Sequence, residues 1–169
     1  LSLEEIHRFA NGPVPVFQHL YWDVLRLYGE LREGLRRFRQ QHGRELDSLG
    51  VDTWGVDFAL LGRGDILLEN PRHYRDPRTD GMLEAAFARV PREEIFASTG
   101  AQFMKLNTLY QLLSLKVQDS PILGAARHLL MMPDLLNFYL TGRKACEFTD
   151  ATTTQFYDSR AQRWATDLL

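Results

Sequence analysis

The strongest pattern in the chain follows Asp23, where Val24, Leu27, Tyr28, Leu31, Leu35 and Phe38 recur at three- and four-residue steps. That spacing predicts an amphipathic helix with Asp23 as its N-cap and Gly43 as its stop. Arg26, Glu30, Arg32, Glu33, Arg36, Arg37 and Arg39 fall mainly off the apolar stripe. Their mixed charge reads as a solvated face rather than an anion- or membrane-binding one. Upstream, Leu3, Ile6 and Phe9 fit a helix or a strand equally well, and Gly12, Pro13 and Pro15 predict a break in regular structure.

Downstream, residues 48–53 are short and apolar, predicting a buried strand. Residues 56–61 and 66–68 flank Gly62-Arg63-Gly64, which predicts a hairpin. The second half reads as mostly helical. One helix is predicted over 80–89, and a second from Pro91 to a stop at Gly100. A third, carrying Leu109, Leu112, Leu113 and Leu115, has Asn107 or Thr108 as its cap. Residues 129–131 suit a short buried strand, and Pro133 opens a helix that Gly142 ends. The tail with Thr149 and Thr152-Thr153-Thr154 is polar and predicts a loop before Phe156. Strands and helices in this order give an α/β fold with a mixed sheet and flanking helices.

Composition narrows the function classes. The chain has 169 residues, enough for one domain or a large part of one. The 20 basic and 22 acidic side chains leave a net charge of −2, which argues against a nucleic-acid surface. No apolar run approaches the roughly 20 residues that span a bilayer. Cys146 is the only cysteine, so no intramolecular disulfide forms, in keeping with a reducing cytoplasm. The start, Leu1-Ser2-Leu3-Glu4-Glu5, carries no initiator Met and no signal peptide, and reads as a chain entered partway through.

General motifs identify no chemistry. His7, His19, His42, His73 and His128 are scattered, with none at metal-ligand spacing. Cys146 has no redox or nucleophile motif around it. No nucleophile elbow, Walker loop or dinucleotide fingerprint occurs. Two local runs are more unusual. In Asp52-Thr53-Trp54-Gly55-Val56-Asp57-Phe58, a strand end meets a hairpin start. Gly55 would permit close approach to the backbone, Trp54 a flat apolar face for a sugar, and Asp52 or Asp57 hydroxyl acceptors. The same residues also read as a turn glycine beside a core tryptophan and two solvated aspartates. In His73-Tyr74-Arg75-Asp76-Pro77-Arg78-Thr79-Asp80, aromatic, basic and acidic groups precede a helix. That run suits a polyhydroxyl or anionic ligand, or an ordinary capped helix start with surface ion pairs.

Taken in order, these segments resemble the FGGY carbohydrate kinases and, within them, the rhamnulokinases. The resemblance rests on Gly50-Val51-Asp52-Thr53-Trp54-Gly55-Val56-Asp57-Phe58, Tyr74-Arg75-Asp76 and Arg78-Thr79-Asp80-Gly81. It continues through Gln102-Phe103, Asn107-Thr108-Leu109-Tyr110-Gln111-Leu112 and Leu130-Met131-Met132-Pro133-Asp134-Leu135. It ends in Thr149-Asp150-Ala151-Thr152-Thr153-Thr154-Gln155 and is supported at the start by Glu5-Ile6-His7-Arg8-Phe9.

The resemblance implies an ATP-dependent kinase that phosphorylates the 1-hydroxyl of L-rhamnulose in rhamnose breakdown. It implies two actin-like, ribonuclease-H-like domains, magnesium-supported phosphoryl transfer and an aspartate base. By family pattern Gly55 contacts the sugar through its backbone and Trp54 shapes the pocket wall. Tyr74 lies on a loop that sends an aromatic toward the sugar, Phe103 and Asn107 are further pocket candidates, and Asp76 and Arg78 hold that loop. The family's phosphate-loop strand, catalytic aspartate and C-terminal ATP domain have no match here. The expectation is therefore an incomplete N-terminal sugar-binding domain over 1–169. Neither a catalytic nor a metal-binding residue is assigned, the chain alone is expected to be inactive without tightly bound ATP or Mg2+, and self-association is expected. A kinase for another ketose, L-fuculose or xylulose, and a non-catalytic sugar-binding module are the alternatives.

Overall fold

The computed structural model describes residues 2–43 and 46–168. Leu1, Arg44, Glu45 and Leu169 lie outside the described residues, so the two ends of the expected 1–169 domain do too. The opening residues, for which helix and strand were both open, form neither. His7 Nε2 sits 2.7 Å from Glu30 Oε2, which ties this segment to the first helix.

The expected break at Gly12, Pro13 and Pro15 is corrected by a hairpin of β1 (Val14–Val16) and β2 (His19–Tyr21). Its register pairs Val14 with Tyr21, Pro15 with Leu20 and Val16 with His19. Leu20 turns its own polar groups away from β1: its N–H donates to Asp76 Oδ2 and its carbonyl accepts from His73 N–H. No donor is therefore needed at the position opposite, and proline is tolerated in this edge strand.

Helix α1 (Val24–His42) is capped as its sequence predicts. Asp23 accepts from the Arg26 N–H at 3.1 Å, and Gly43 closes the helix at φ +62°. Glu33 takes both Arg36 and Arg37, so the charged face is an exposed ion-paired surface. Residues 48–53 form no strand. Leu49 is half exposed, only Val51 reaches the core, and no strand among the described residues lies alongside to receive the backbone hydrogen bonds.

The central pair is β3 (Phe58–Leu61) against β4 (His128–Met131), antiparallel, with Phe58 opposite Met131 and Leu61 opposite His128. The predicted hairpin around Gly62 survives only as a Leu61–Leu67 bridge over a short 3-10 turn at Arg63–Asp65. Alternation along β3 sends Ala59 and Leu61 to one core with Trp22, Val24, Leu27, Met132 and Leu135. Phe58 and Leu60 go to the other with Leu115 and Met131. A strand buried on both faces explains the unbroken apolar run Phe58-Ala59-Leu60-Leu61.

A 3-10 turn at Pro77–Thr79 leads into α2 (Met82–Phe87), then α3 (Arg92–Thr99) ending at Gly100, and α4 (Thr108–Val117). Asn107 occupies the cap position of α4, but its side chain makes no capping bond. A five-residue helix α5 (Pro121–Ala125) precedes β4, and α6 (Met132–Thr141) stops at Gly142. The expected loop around Thr149 is corrected by helix α7 (Phe148–Thr153). Glu147 nucleates it by accepting from the N–H groups of Thr149 and Asp150. A last antiparallel pair, β5 (Tyr157–Asp158) and β6 (Arg163–Trp164), follows. The α/β class holds, although every strand pair among the described residues is antiparallel, so they do not display a mixed sheet. No described helix is long and apolar enough to cross a membrane.

Candidate functional site

Val56 sits at φ +70°, unusual for a β-branched residue, and the turn it makes aims Asp57 into the protein. Three bonds hold Val56 there: its N–H donates to Thr153 Oγ1, and its carbonyl accepts from Thr108 Oγ1 and Gln111 Nε2. Asp57 is fully enclosed. Its Oδ2 accepts from the indole N–H of Trp22 at 2.6 Å, that of Trp54 at 3.0 Å and the Tyr74 N–H at 3.2 Å. Its Oδ1 accepts from Gln111 Nε2 at 3.0 Å. Burial pushes the Asp57 carboxyl above its usual range, and the four donors oppose that push. With four protein donors on its buried carboxylate, Asp57 is neither the free hydroxyl acceptor nor the solvated turn residue that the sequence left open.

Gln111 extends this network, accepting from the Arg78 guanidinium at 2.6 Å. Burial pushes Arg78 down to about 10 against the Asp76 charge 3.6 Å away. Burial would raise Asp76, but the N–H groups of Leu20 and Arg78, with the Arg78 charge, outweigh it and hold its carboxyl low. The expectation that Asp76 and Arg78 brace a loop is matched by this geometry. Trp22 stands between Trp54 and His73, 4.2 Å from each by ring centroid, and His73 stacks on Tyr74 at 4.3 Å.

Trp54 and Gly55 open onto a cleft of about 370 Å³. The opposite wall comes from Pro133 and Asn137 of α6 and from Glu147, Thr149, Asp150 and Thr153 at α7. Its polar lining includes the carboxylates of Asp52, Glu147 and Asp150, and among the described residues no lysine or arginine lines it. Asp150 is pushed up to about 6 by burial first and by Asp134 next. Burial also raises Asp134. Desolvation, and then the Asp134 charge, push the Cys146 thiol up to about 11, which removes it as a thiolate nucleophile.

The structure therefore divides the residues expected to form one pocket. Trp54 and Gly55 line the cleft. The close approach that glycine permits at 55 is made by Thr153, whose Cγ2 and Oγ1 lie 2.9 Å from where a Cβ would stand. Tyr74 sits at the far end of the aromatic stack from Trp54, beneath the Arg75 guanidinium. Phe103 packs with Phe87 and under Arg92, lining a separate open groove with Phe96. Asn107 is buried scaffolding: its Nδ2 donates to the Gln102 carbonyl and to Gln155 Oε1. The histidines stay apart, His7 on Glu30, His42 on Glu4, His19 on Asp76, His128 near Asp65 and His73 in the stack. No group of three or more His, Cys, Asp or Glu among the described residues is placed to hold a metal.

The wall from α7 was not expected as structure, although Thr149-Asp150-Ala151-Thr152-Thr153-Thr154 stood out as a motif. A glutamate N-cap before four threonines is a weak helix signal.

Comparison with known proteins agrees with this architecture. The N-terminal domain model of the FGGY family of carbohydrate kinases matches residues 13–169, and the chain belongs to that family. Within it, the chain is 44% identical over 169 residues to a rhamnulokinase of Oceanobacillus iheyensis, covering all of this chain and 36% of that protein. It is also 44% identical to the Bacteroides thetaiotaomicron rhamnulokinase, of which it covers 35%. Ligand-bound xylulose kinase from Lactobacillus acidophilus superposes with TM-score 0.86 at 19% identity, over 95% of this chain and 33% of that one. Plasmodium falciparum glycerol kinase with ADP gives 0.76 at 17%, over 95% and 34%. These structural likenesses show that the chain shares the fold of the matched third of those two proteins. The chain spans about a third of the length of these relatives.

Proposed function

We propose that this chain is the sugar-binding portion of a cytoplasmic ATP-dependent kinase that phosphorylates L-rhamnulose at its 1-hydroxyl. The observation that carries this reading is the cleft beside Trp54 and Gly55: an indole wall, several hydroxyl acceptors and no cationic side chain among the described residues. That lining suits a neutral polyol and disfavours a sugar phosphate, which would call for arginine or lysine. Its volume of about 370 Å³ falls in the usual range for small-molecule pockets. The identity to two rhamnulokinases supports the choice of ketose.

Of the sugar contacts proposed, Gly55 and Trp54 are direct, Tyr74 acts by completing the aromatic stack and Asn107 by holding the scaffold, while Phe103 lies in its own groove away from the cleft. ATP and Mg2+ belong, in this reading, to the intact parent enzyme. The chain alone, spanning about a third of the length of its relatives, is expected to be inactive. The reading is tested by ADP release from the intact parent with magnesium-ATP and L-rhamnulose, L-fuculose or D-xylulose. A preference for L-rhamnulose of at least about tenfold in kcat/KM is the expected result. Preference for either of the other ketoses overturns the substrate, and inactivity of a folded, ATP-binding parent overturns the kinase in favour of a sugar-binding module.

Self-association of the isolated chain belongs to the same reading. Phe17 at the tip of the β1–β2 hairpin is 96% exposed, and Leu25 and Ile66 are more than half exposed. Light scattering across a concentration series should show mass rising above the monomer. A constant monomer mass would count against it.

A further inference from the structure

The acceptors lining the cleft are not equally free. Both Glu147 oxygens cap α7, Oε1 taking the Thr149 N–H at 3.0 Å and Oε2 the Thr149 hydroxyl at 2.5 Å and the Asp150 N–H at 2.9 Å. Thr153 Oγ1 receives the Val56 N–H at 3.0 Å and donates to the Asp150 carbonyl at 2.8 Å. Asp52 is exposed, and water can serve it. Asp150 differs. It is 9% exposed, its Oδ1 has only a long 3.4 Å contact from Thr153, and its buried Oδ2 has no hydrogen-bond partner. A buried carboxylate oxygen without a donor is costly, so a group that supplies one is favoured there.

We propose that Asp150 Oδ2 accepts a hydrogen bond from a hydroxyl of the ketose in the cleft, making Asp150 a specificity-determining residue of this site. This rests on the sugar-cleft reading above and names a further contact within it. A polyol is the ligand chemistry that fits, because it brings donors without charge to a wall lacking lysine and arginine. A metal ion does not, since no ligand set of three converges among the described residues.

The charges that act most on Asp150 are acidic: Asp134 from α6, Glu147 from the cap of α7 and Asp52 from the segment before Trp54. They and burial hold its proton to about 6, so the ionised acceptor forms only above that pH. A bound hydroxyl favours the ionised form, and acidification below pH 6 replaces the charged acceptor with a weaker neutral one.

The test uses the intact parent enzyme, its Asp150→Ala and Asp150→Asn variants, and L-rhamnulose with magnesium-ATP. Asp150→Ala should raise the ketose KM about tenfold to a hundredfold while leaving the ATP KM unchanged. Asp150→Asn keeps an acceptor oxygen but has no proton to gain. It should recover much of the KM and abolish the rise in ketose KM that the wild type shows as pH falls through about 6. Unchanged ketose KM in Asp150→Ala, or a wild-type pH profile retained by Asp150→Asn, overturns the role of Asp150 while the parent's activity leaves the kinase reading standing. Inactivity of the wild-type parent on every ketose overturns both together. Should Asp150→Ala fail to fold, the KM and pH profile of Asp150→Asn decide the matter alone.

Discussion

Replacing Asp57 with alanine is expected to lower the stability of the fold by about 3–5 kcal/mol, because it strands several buried donors at once. Two indole N–H groups, the Tyr74 N–H and Gln111 Nε2 all end on this one carboxylate. Against a typical domain stability of about 5–15 kcal/mol, such a loss leaves little margin. Asparagine is not a rescue. If its oxygen stands where Oδ2 accepts three donors, its amide faces Gln111 Nε2, donor against donor. Turning the Gln111 amide over would then present nitrogen to Arg78 and give up the bonds to the Val56 and Leu106 carbonyls. Asp57→Asn should therefore also cost stability, about 2–4 kcal/mol. Chemical unfolding followed by tryptophan fluorescence reads both variants, since Trp22 and Trp54 report on the network directly. A loss under about 1 kcal/mol for Asp57→Ala would mean that water replaces the carboxylate, and that the network does not hold the site.

The sequence placed Asp57 beside Trp54 and Gly55 but could not say which way it faced. That direction depends on Val56 at φ +70°, held by Thr108, Gln111 and Thr153, all more than 50 residues away. Elements set by local periodicity and capping, such as α1, α4 and α6, were legible for the opposite reason: their signals lie within one helix. The β1–β2 hairpin was not, because whether Pro15 is tolerated depends on where Leu20 sends its N–H and carbonyl. Residues 48–53 had a strand's composition without a neighbour to pair with among the described residues. For the site, Trp54 and Gly55 are adjacent in the chain and stayed together. Tyr74, Phe103 and Asn107 were grouped by motif alone, and packing sent them to the aromatic stack, an outer groove and the buried scaffold.

Gly55 is where packing and the cleft meet, and a substitution there should show their coupling. A Cβ at this position would stand 2.9 Å from both Cγ2 and Oγ1 of Thr153, closer than real contacts allow. Thr153 cannot simply turn aside, because its hydroxyl receives the Val56 N–H and donates to the Asp150 carbonyl. Gly55→Ala is therefore expected to cost about 1–3 kcal/mol and, in the intact parent, to raise the ketose KM. Thr153→Ala alone should cost about 1 kcal/mol by leaving the Val56 N–H without its acceptor. Combined, the two changes should cost less than their sum by about 1 kcal/mol or more, since the second removes the atoms that the first strikes. Strict additivity in chemical unfolding would show that the clash is absorbed by backbone movement at Val56 rather than by Thr153. The ketose KM separates the remaining roles. If the double variant regains stability but not ketose affinity, the glycine serves the ligand as well as the packing; if both return together, the glycine is there for Thr153 alone.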